Sequence, residues 1–182
     1  LGSENSNSVD PIERYVVISP GASRRRQMKT WDNTNFAKLI SLLYKQFGLT
    51  AVLIGGMDNR EDNQHIIDMV TEEGTIASIY NLTEESLRAI ALVIKQAQLF
   101  VGIDSVFMHV ASSLDIPVVA LFGPTDPFYV GPQNQRSVVV RDQTLDCIPC
   151  YLKNCEHRNC MKNLSVETVF NACTKLLTQV QN

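Results

Sequence analysis

The feature that most constrains the fold is a series of short apolar runs that alternate with stretches of helical periodicity. The apolar runs are residues 14–19, 51–54, 99–101 and 117–122. Strands that are apolar throughout, rather than at every second residue, are typical of a parallel sheet covered by helices on both faces. The alternation therefore predicts a doubly wound, Rossmann-like α/β fold.

Five stretches place apolar residues at the three- and four-residue spacing of an amphipathic helix. They are residues 33–47, 61–70, 83–94, 105–114 and 166–180. Three of them have an expected N-cap: Thr83, which is followed by two glutamates, Ser105 and Ser165. Gly48 is expected to close the first helix, and Cys173 belongs to the apolar stripe of the last one.

The composition is that of one ordinary globular domain. The 182 residues are 45% hydrophobic and 19% charged, and the net charge of -3 gives no electrostatic footprint for nucleic acid or for an anionic membrane. No apolar run approaches the roughly 20 residues of a membrane span. Because the first residues are rich in Ser, Asn and Gly, we expect a disordered linker or cloning remnant over 1–12 and one domain over 13–182.

Doubly wound sheets bind ligands beyond the carboxyl ends of their strands. That rule selects four loops, residues 21–29, 55–61, 102–109 and 123–127. In the third loop, Ser105 begins a helix whose unpaired amides suit a phosphate, and His109 lies one turn further on. The spacing alone favours a simpler interpretation, in which Asp104 caps the helix and His109 is a half-buried histidine with satisfied hydrogen bonds.

The other three loops carry charge or rigidity. The arginines at 24–26 and Lys29 suit phosphates and ribose hydroxyls, although such a run is more often a solvated basic loop. Glu61 is either an acceptor for a ribose hydroxyl or a favourable first-turn charge. Two prolines stiffen residues 123–127, which either wall a pocket or turn the chain. Trp31 is expected to pack against the helix that follows it.

A cysteine-rich stretch raises a separate alternative. Cys147, Cys150, Cys155 and Cys160 form a C-x2-C-x4-C-x4-C pattern that includes His157. Thiolates and imidazoles at such spacing hold zinc or an iron–sulfur cluster. Both gaps after the first pair are shorter than in the usual two-knuckle arrangement, so a metal site is the weaker prediction.

Taken together, these loops resemble glycosyltransferase family 9, the ADP-heptose:lipopolysaccharide heptosyltransferases. Residues 104–111 are similar to the family's D-[ST]-G-x-x-H-x-A segment, and residues 116–127 to its following strand and G-P-T-D-P loop. Residues 21–23 and the run Lys29-Thr30-Trp31 are similar to its first donor loop. The cysteine stretch has counterparts in many members, which favours a family-typical loop over a metal site. The resemblance covers nearly all of the chain after the linker and implies the C-terminal half of a two-domain GT-B enzyme.

The resemblance also implies a reaction, the transfer of heptose from ADP-heptose to a lipopolysaccharide core acceptor without a cofactor. The donor-binding residues that it implies are Ser23, Lys29, Glu61, Asp104, Ser105, His109, Thr125 and Asp126. Asp104, Ser105 and His109 would lie along the diphosphate. Lys29 would contact the ribose or a phosphate, Glu61 would hold ribose hydroxyls, and the last two residues would line the edge of the pocket.

One position departs from the family pattern. Val106 stands where the family has glycine, and its branched Cβ would keep a phosphate farther from the backbone or select another donor. The role of Glu61 is also open to Asp58 and Asp62. The alternatives are therefore a transferase for another nucleotide sugar and, in a different class, a metal-bound interaction module built on residues 147–160.

The resemblance places the acceptor site, and the catalytic base, in an N-terminal domain. We therefore expect these 182 residues alone to bind donor and to catalyse nothing. The implied location is cytoplasmic, peripheral at the inner membrane in the full-length enzyme.

Overall fold

In the computed structural model the chain forms a six-stranded, wholly parallel sheet with helices on both faces. The structure describes residues 14–72, 74 and 79–179, without the side chains at 24–26, so the predicted linker over 1–12 lies outside it. The strands are β1 (Tyr15–Ser19), β2 (Thr50–Leu53), β3 (Ile79–Asn81), β4 (Leu99–Ile103), β5 (Val118–Phe122) and β6 (Ser137–Arg141). Their order is β3-β2-β1-β4-β5-β6, which confirms the predicted doubly wound, Rossmann-like fold.

The helices follow the strands in alternation. They are α1 (Asn33–Phe47), α2 (Arg60–Glu72), α3 (Leu87–Gln96), α4 (Val106–Ser113), α5 (Pro127–Val130), α6 (Asn159–Lys162) and α7 (Val166–Gln179), with 3-10 turns at Arg24–Lys29 and Met57–Asn59. Gly48 ends α1 in the left-handed conformation, and the Ser165 hydroxyl accepts the amide of Thr168 at 3.1 Å at the start of α7, both as predicted. Within the described ranges no helix has the length and apolarity needed to span a membrane.

The predicted start of α3 is wrong, because Thr83 is not its N-cap. Ser86 caps this helix by accepting the amide of Ala89 at 3.2 Å. Thr83 is buried in the preceding turn, where its amide donates to the Asn81 side chain at 3.3 Å. The two glutamates therefore precede the helix instead of forming its first turn.

The apolar strands divide their side chains between two cores. On one face, Val16 and Ile18 pack with residues of α1, α2 and α7. On the other face, Val17 and Phe100 pack with residues of α3 and α4. Because both faces of β1, β4 and β5 are buried, these strands are continuous apolar runs apart from Ser19, which is why the absence of alternation identified them.

The two central strands, β1 and β4, form the switch point of the sheet. The chain leaves β1 toward α1 on one face and leaves β4 toward α4 on the other. Gly102 pairs with Ser19 across this junction, and a Cβ on Gly102 would lie 2.9 Å from both the Cβ and the carbonyl oxygen of Ser19. The crevice outside the carboxyl ends of these strands is where such sheets bind ligands.

Candidate functional site

A buried ion pair joins the loops that follow β1 and β4. The Lys29 ammonium, at the end of the first 3-10 turn, pairs with the Asp104 carboxylate. Thr125, which follows β5, donates its hydroxyl to the same carboxylate oxygen at 2.8 Å. Lys29 is 8% exposed and Thr125 is 7% exposed, so the cluster is largely withdrawn from solvent. Residues from the ends of three adjacent strands therefore meet at the switch point.

This cluster forms part of the wall of a cavity of about 990 Å³. The other residues that line it are Gln27, Met28, His109, Pro124, Val130, Tyr151, Leu152, Lys153, Asn154 and Arg158. Small-molecule sites commonly have volumes of about 300–1,000 Å³. The lining contains three Lys or Arg side chains and one carboxylate, so it favours an anionic ligand.

The start of α4 lies beside this cavity. Ser105 caps the helix as predicted, since its hydroxyl accepts the Met108 amide at 3.5 Å. Asp104 does not cap it, because its carboxylate is engaged by Lys29 and Thr125. His109 is exposed and lines the cavity. The simpler interpretation, a capping aspartate with a half-buried histidine, is therefore wrong.

The side chain of Asn59 ties together the loops that follow β1 and β2. It is 6% exposed; its Nδ2 donates to the Ala22 carbonyl at 3.1 Å, and its Oδ1 accepts the Gly56 amide at 3.2 Å. Gly21 has to be glycine because a Cβ there would lie 2.1 Å from Asn59 Nδ2. Sequence reasoning did not single out Asn59, since one asparagine in a loop carries no pattern.

The structure brings four of the eight predicted donor-binding residues to the cavity wall: Lys29, Asp104, His109 and Thr125. Ser23 is exposed ahead of the 3-10 turn, and Glu61 is exposed in the first turn of α2. The Asp126 carboxylate accepts the Phe128 amide at 3.1 Å and so begins α5. Ser23, Glu61, Ser105 and Asp126 do not line the cavity, and the side chains of the arginines at 24–26 lie outside the described part of the chain.

A long segment without helix or strand, residues 142–158, supplies five further lining residues that the sequence did not indicate. The Pro124 carbonyl accepts the amides of Cys150 at 3.0 Å and Tyr151 at 2.9 Å. Arg158 Nη2 donates to the carbonyl oxygen of Thr30 at 2.6 Å and to its hydroxyl at 3.0 Å. The one signal in this segment was its cysteine spacing, which pointed toward a metal instead.

The cysteines are free thiols in different surroundings. Cys147 is exposed, whereas Cys160 is buried with its sulfur against Gly123. Burial raises the pKa of the Cys160 thiol, and the nearby thiols of Cys150, Cys147 and Cys155 raise it further. Across the described ranges, no three or more His, Cys, Asp or Glu side chains are grouped so that they could hold a metal ion.

These surroundings predict an order of thiol reactivity. Cys147 should react with iodoacetamide at neutral pH at least roughly tenfold faster than Cys173, because only thiolates attack and burial strongly raises the pKa of Cys173. Mass spectrometry of tryptic peptides after timed labelling measures both rates. Labelling in urea is the control, and there the two rates should converge. Equal rates in the native protein would contradict the packing described for α7.

Comparison with known proteins gives matches over most of the chain. The profile of glycosyltransferase family 9 (heptosyltransferase) matches residues 3–161. Lipooligosaccharide heptosyltransferase 2 of Campylobacter jejuni serotype O:6 is 32% identical over 170 residues, which are 91% of this chain and 52% of that protein. Lipopolysaccharide heptosyltransferase 3 of Escherichia coli K12 is 29% identical over 168 residues, 92% of this chain and 47% of that protein. The chain thus spans about half the length of these relatives.

Solved structures give the same picture of the fold. The E. coli ADP-heptose lps heptosyltransferase II superposes with a TM-score of 0.81 at 25% identity, over 96% of this chain and 50% of that one. The E. coli heptosyltransferase WaaC with ADP superposes with a TM-score of 0.72 at 23% identity, over 93% of this chain and 46% of that one.

Proposed function

The chain belongs to glycosyltransferase family 9, and we propose that it forms the donor-binding half of a heptosyltransferase. In this proposal the cavity at the switch point holds ADP-heptose, and the heptose passes to a lipopolysaccharide-type acceptor. The acceptor site and the catalytic base belong to the other half of the GT-B enzyme, so this half alone binds donor without turnover. We place the full-length enzyme in the cytoplasm, attached peripherally to the inner membrane, because its proposed acceptor is of the lipopolysaccharide type.

The observation that carries the proposal is the cluster of Lys29, Asp104 and Thr125 in the wall of a cation-rich cavity. A diphosphate needs fixed positive charge and N–H donors, and the cations of the lining and the start of α4 supply both. As the donor leaves, negative charge grows on the diphosphate, and preorganised donors stabilise it without a metal ion. His109, one turn into α4, supplies a further donor to a phosphate oxygen.

The remaining predicted residues have more peripheral parts in this proposal. Ser105 holds the first turn of α4, and Asp126 fixes the edge of the pocket by beginning α5. Ser23 and Glu61 lie at loops beyond β1 and β2 and are exposed, so they are open to the nucleoside end of the donor. Asp62 is less suited than Glu61, because its carboxylate accepts a hydrogen bond from Asn33 at 3.4 Å.

Calorimetric titration of the chain with nucleotides tests the proposal. ADP and ADP-heptose should bind, and UDP and GDP should bind at least roughly fivefold more weakly, because a lost hydrogen bond to the base is worth about 1 kcal/mol or more. A preference for UDP or GDP would favour the alternative donor class that Val106 leaves open. Failure to bind any nucleotide would contradict the proposal.

Val106 provides a second test, of how closely the donor approaches α4. Its side chain is 57% exposed at the first position of the helix, so replacing it leaves both cores intact. Val106→Gly should tighten ADP binding roughly threefold, because glycine lets a phosphate approach the backbone donors more closely. Val106→Ala, which keeps the Cβ, should give a smaller gain in the same titration. Unchanged or weaker binding by the glycine variant would indicate that the donor does not approach this turn.

A further inference from the structure

We infer that the guanidinium of Arg158 binds the diphosphate of the donor, an inference that rests on the function proposed above. Arg158 lies in the cysteine-rich segment, is not among the eight donor-binding residues that the family resemblance implies, and lines the same cavity as Lys29. It would add a phosphate contact from the segment 142–158, whereas Lys29 contributes from the loop that follows β1. Three observations carry the inference: how the residue is held, which of its donors lacks a partner, and how charge is balanced around it.

Arg158 is fixed at the cavity by contacts at both ends of the residue. Its backbone has the left-handed conformation, φ 50° and ψ 29°, which is uncommon without glycine. Its amide donates to the Cys155 sulfur at 3.5 Å. Its Nη2 donates to the carbonyl oxygen and the hydroxyl of Thr30, at 2.6 and 3.0 Å, and Thr30 directly follows Lys29. The guanidinium is therefore anchored beside the loop that carries the buried lysine.

One donor of this anchored group has no acceptor. The Nε of Arg158 is buried, and none of the described residues accepts a hydrogen bond from it. Buried donors are rarely left unsatisfied in folded proteins, and this Nε, which has no solvent access, would meet a ligand oxygen after a small rotation of the guanidinium. Nη2 is already engaged by Thr30, so a diphosphate in this cavity would accept from the rest of the guanidinium fork, Nη1 and the rotated Nε.

The charges around the cavity favour the same ligand. Asp104 is the one carboxylate of the lining, and its charge is already balanced by Lys29. Arg158 and Lys153 are the other cations of the lining, and Lys153 is exposed whereas Arg158 is half-buried. A partly desolvated cation attracts a phosphate more strongly than an exposed one does, so Arg158 should contribute more than Lys153.

Calorimetric titration with ADP and with adenosine distinguishes a phosphate contact from a merely structural role. Arg158→Gln should weaken ADP binding about tenfold or more and leave adenosine binding within about twofold, because only ADP carries the phosphates. Arg158→Lys should give an intermediate loss, since it keeps the charge and loses the fork. Arg88→Gln changes the net charge equally at an exposed position of α3, outside the cavity lining, and should leave both affinities unchanged.

Each outcome decides the question. Equal losses for ADP and adenosine would mean that Arg158 acts by anchoring Thr30, and unchanged ADP binding would remove any role; either result overturns the inference. If Arg158→Gln does not fold, the Arg158→Lys variant provides the test. An ADP affinity equal to wild type in Arg158→Lys would overturn the inference. A wild-type chain that binds neither ligand contradicts the proposed function itself, whereas a wild-type chain that binds ADP with Arg158→Gln unaffected contradicts this inference alone.

Discussion

Lys29→Gln is expected to weaken ADP binding by about 10- to 150-fold, because it removes a charge-assisted contact worth about 1.5–3 kcal/mol. No other cation of the cavity lining is as deeply buried as Lys29. Glutamine keeps a neutral N–H donor one bond closer to the backbone, so the change removes the charge with a small loss of reach. Titration calorimetry of the wild type and the variant with ADP measures the loss. ADP affinity equal to wild type would contradict the placement of the diphosphate at this residue.

The same substitution disturbs folding, and a paired variant separates the two effects. Lys29→Gln leaves the Asp104 carboxylate buried without its cation, which should lower the free energy of unfolding by about 3 kcal/mol in urea. Adding Asp104→Asn removes the uncompensated charge and should restore much of that stability. It should not restore ADP binding, because the cation is still missing. Recovery of ADP binding in the double variant would mean that Lys29 acts only by supporting the fold.

The centre of the sheet was predicted from the sequence because its strands are buried on both faces, whereas the edge strands β3 and β6 were not. β3 spans only Ile79–Asn81 and is half-buried throughout, too short for any period to appear. β6 spans Ser137–Arg141 and is buried at a single residue, so it lacks the continuous apolar run that identified the inner strands. Its three consecutive valines do favour a strand, and that propensity was a usable signal.

The candidate site divides in the same way. Lys29, Asp104 and Thr125 directly follow strands or short turns, so the rule that ligands bind at strand ends was enough to select their loops. Arg158 reaches the cavity through a hydrogen bond to a residue 128 positions away, and no local pattern encodes such a contact. The side of the cavity built from residues 142–158 therefore depends on tertiary contacts, among them the hydrogen bonds from Cys150 and Tyr151 to the Pro124 carbonyl.

Trp31→Ala is expected to lower the free energy of unfolding by about 3–5 kcal/mol, the usual cost of deleting a fully buried aromatic side chain. Trp31 is 2% exposed, and its ring meets Phe36 edge-on, with centroids 5.0 Å apart and an interplanar angle of 84°. Its Nε1 also donates to the Leu164 carbonyl at 2.9 Å, which joins the start of α1 to the connection between α6 and α7. Urea unfolding followed by circular dichroism measures the change.

Two control variants separate packing, hydrogen bonding and surface effects at Trp31. Trp31→Phe keeps most of the packing and loses the indole donor, so it should cost about 1–3 kcal/mol, less than the alanine variant. Leu92→Ala, at a position of α3 that is 56% exposed, should stay within about 0.5 kcal/mol of wild type. If Trp31→Ala unfolds no more readily than Leu92→Ala, Trp31 is not part of the core. Because Trp31 lies two residues after Lys29, a folded Trp31→Ala protein should also bind ADP more weakly, which would show that packing beneath α1 positions the buried lysine.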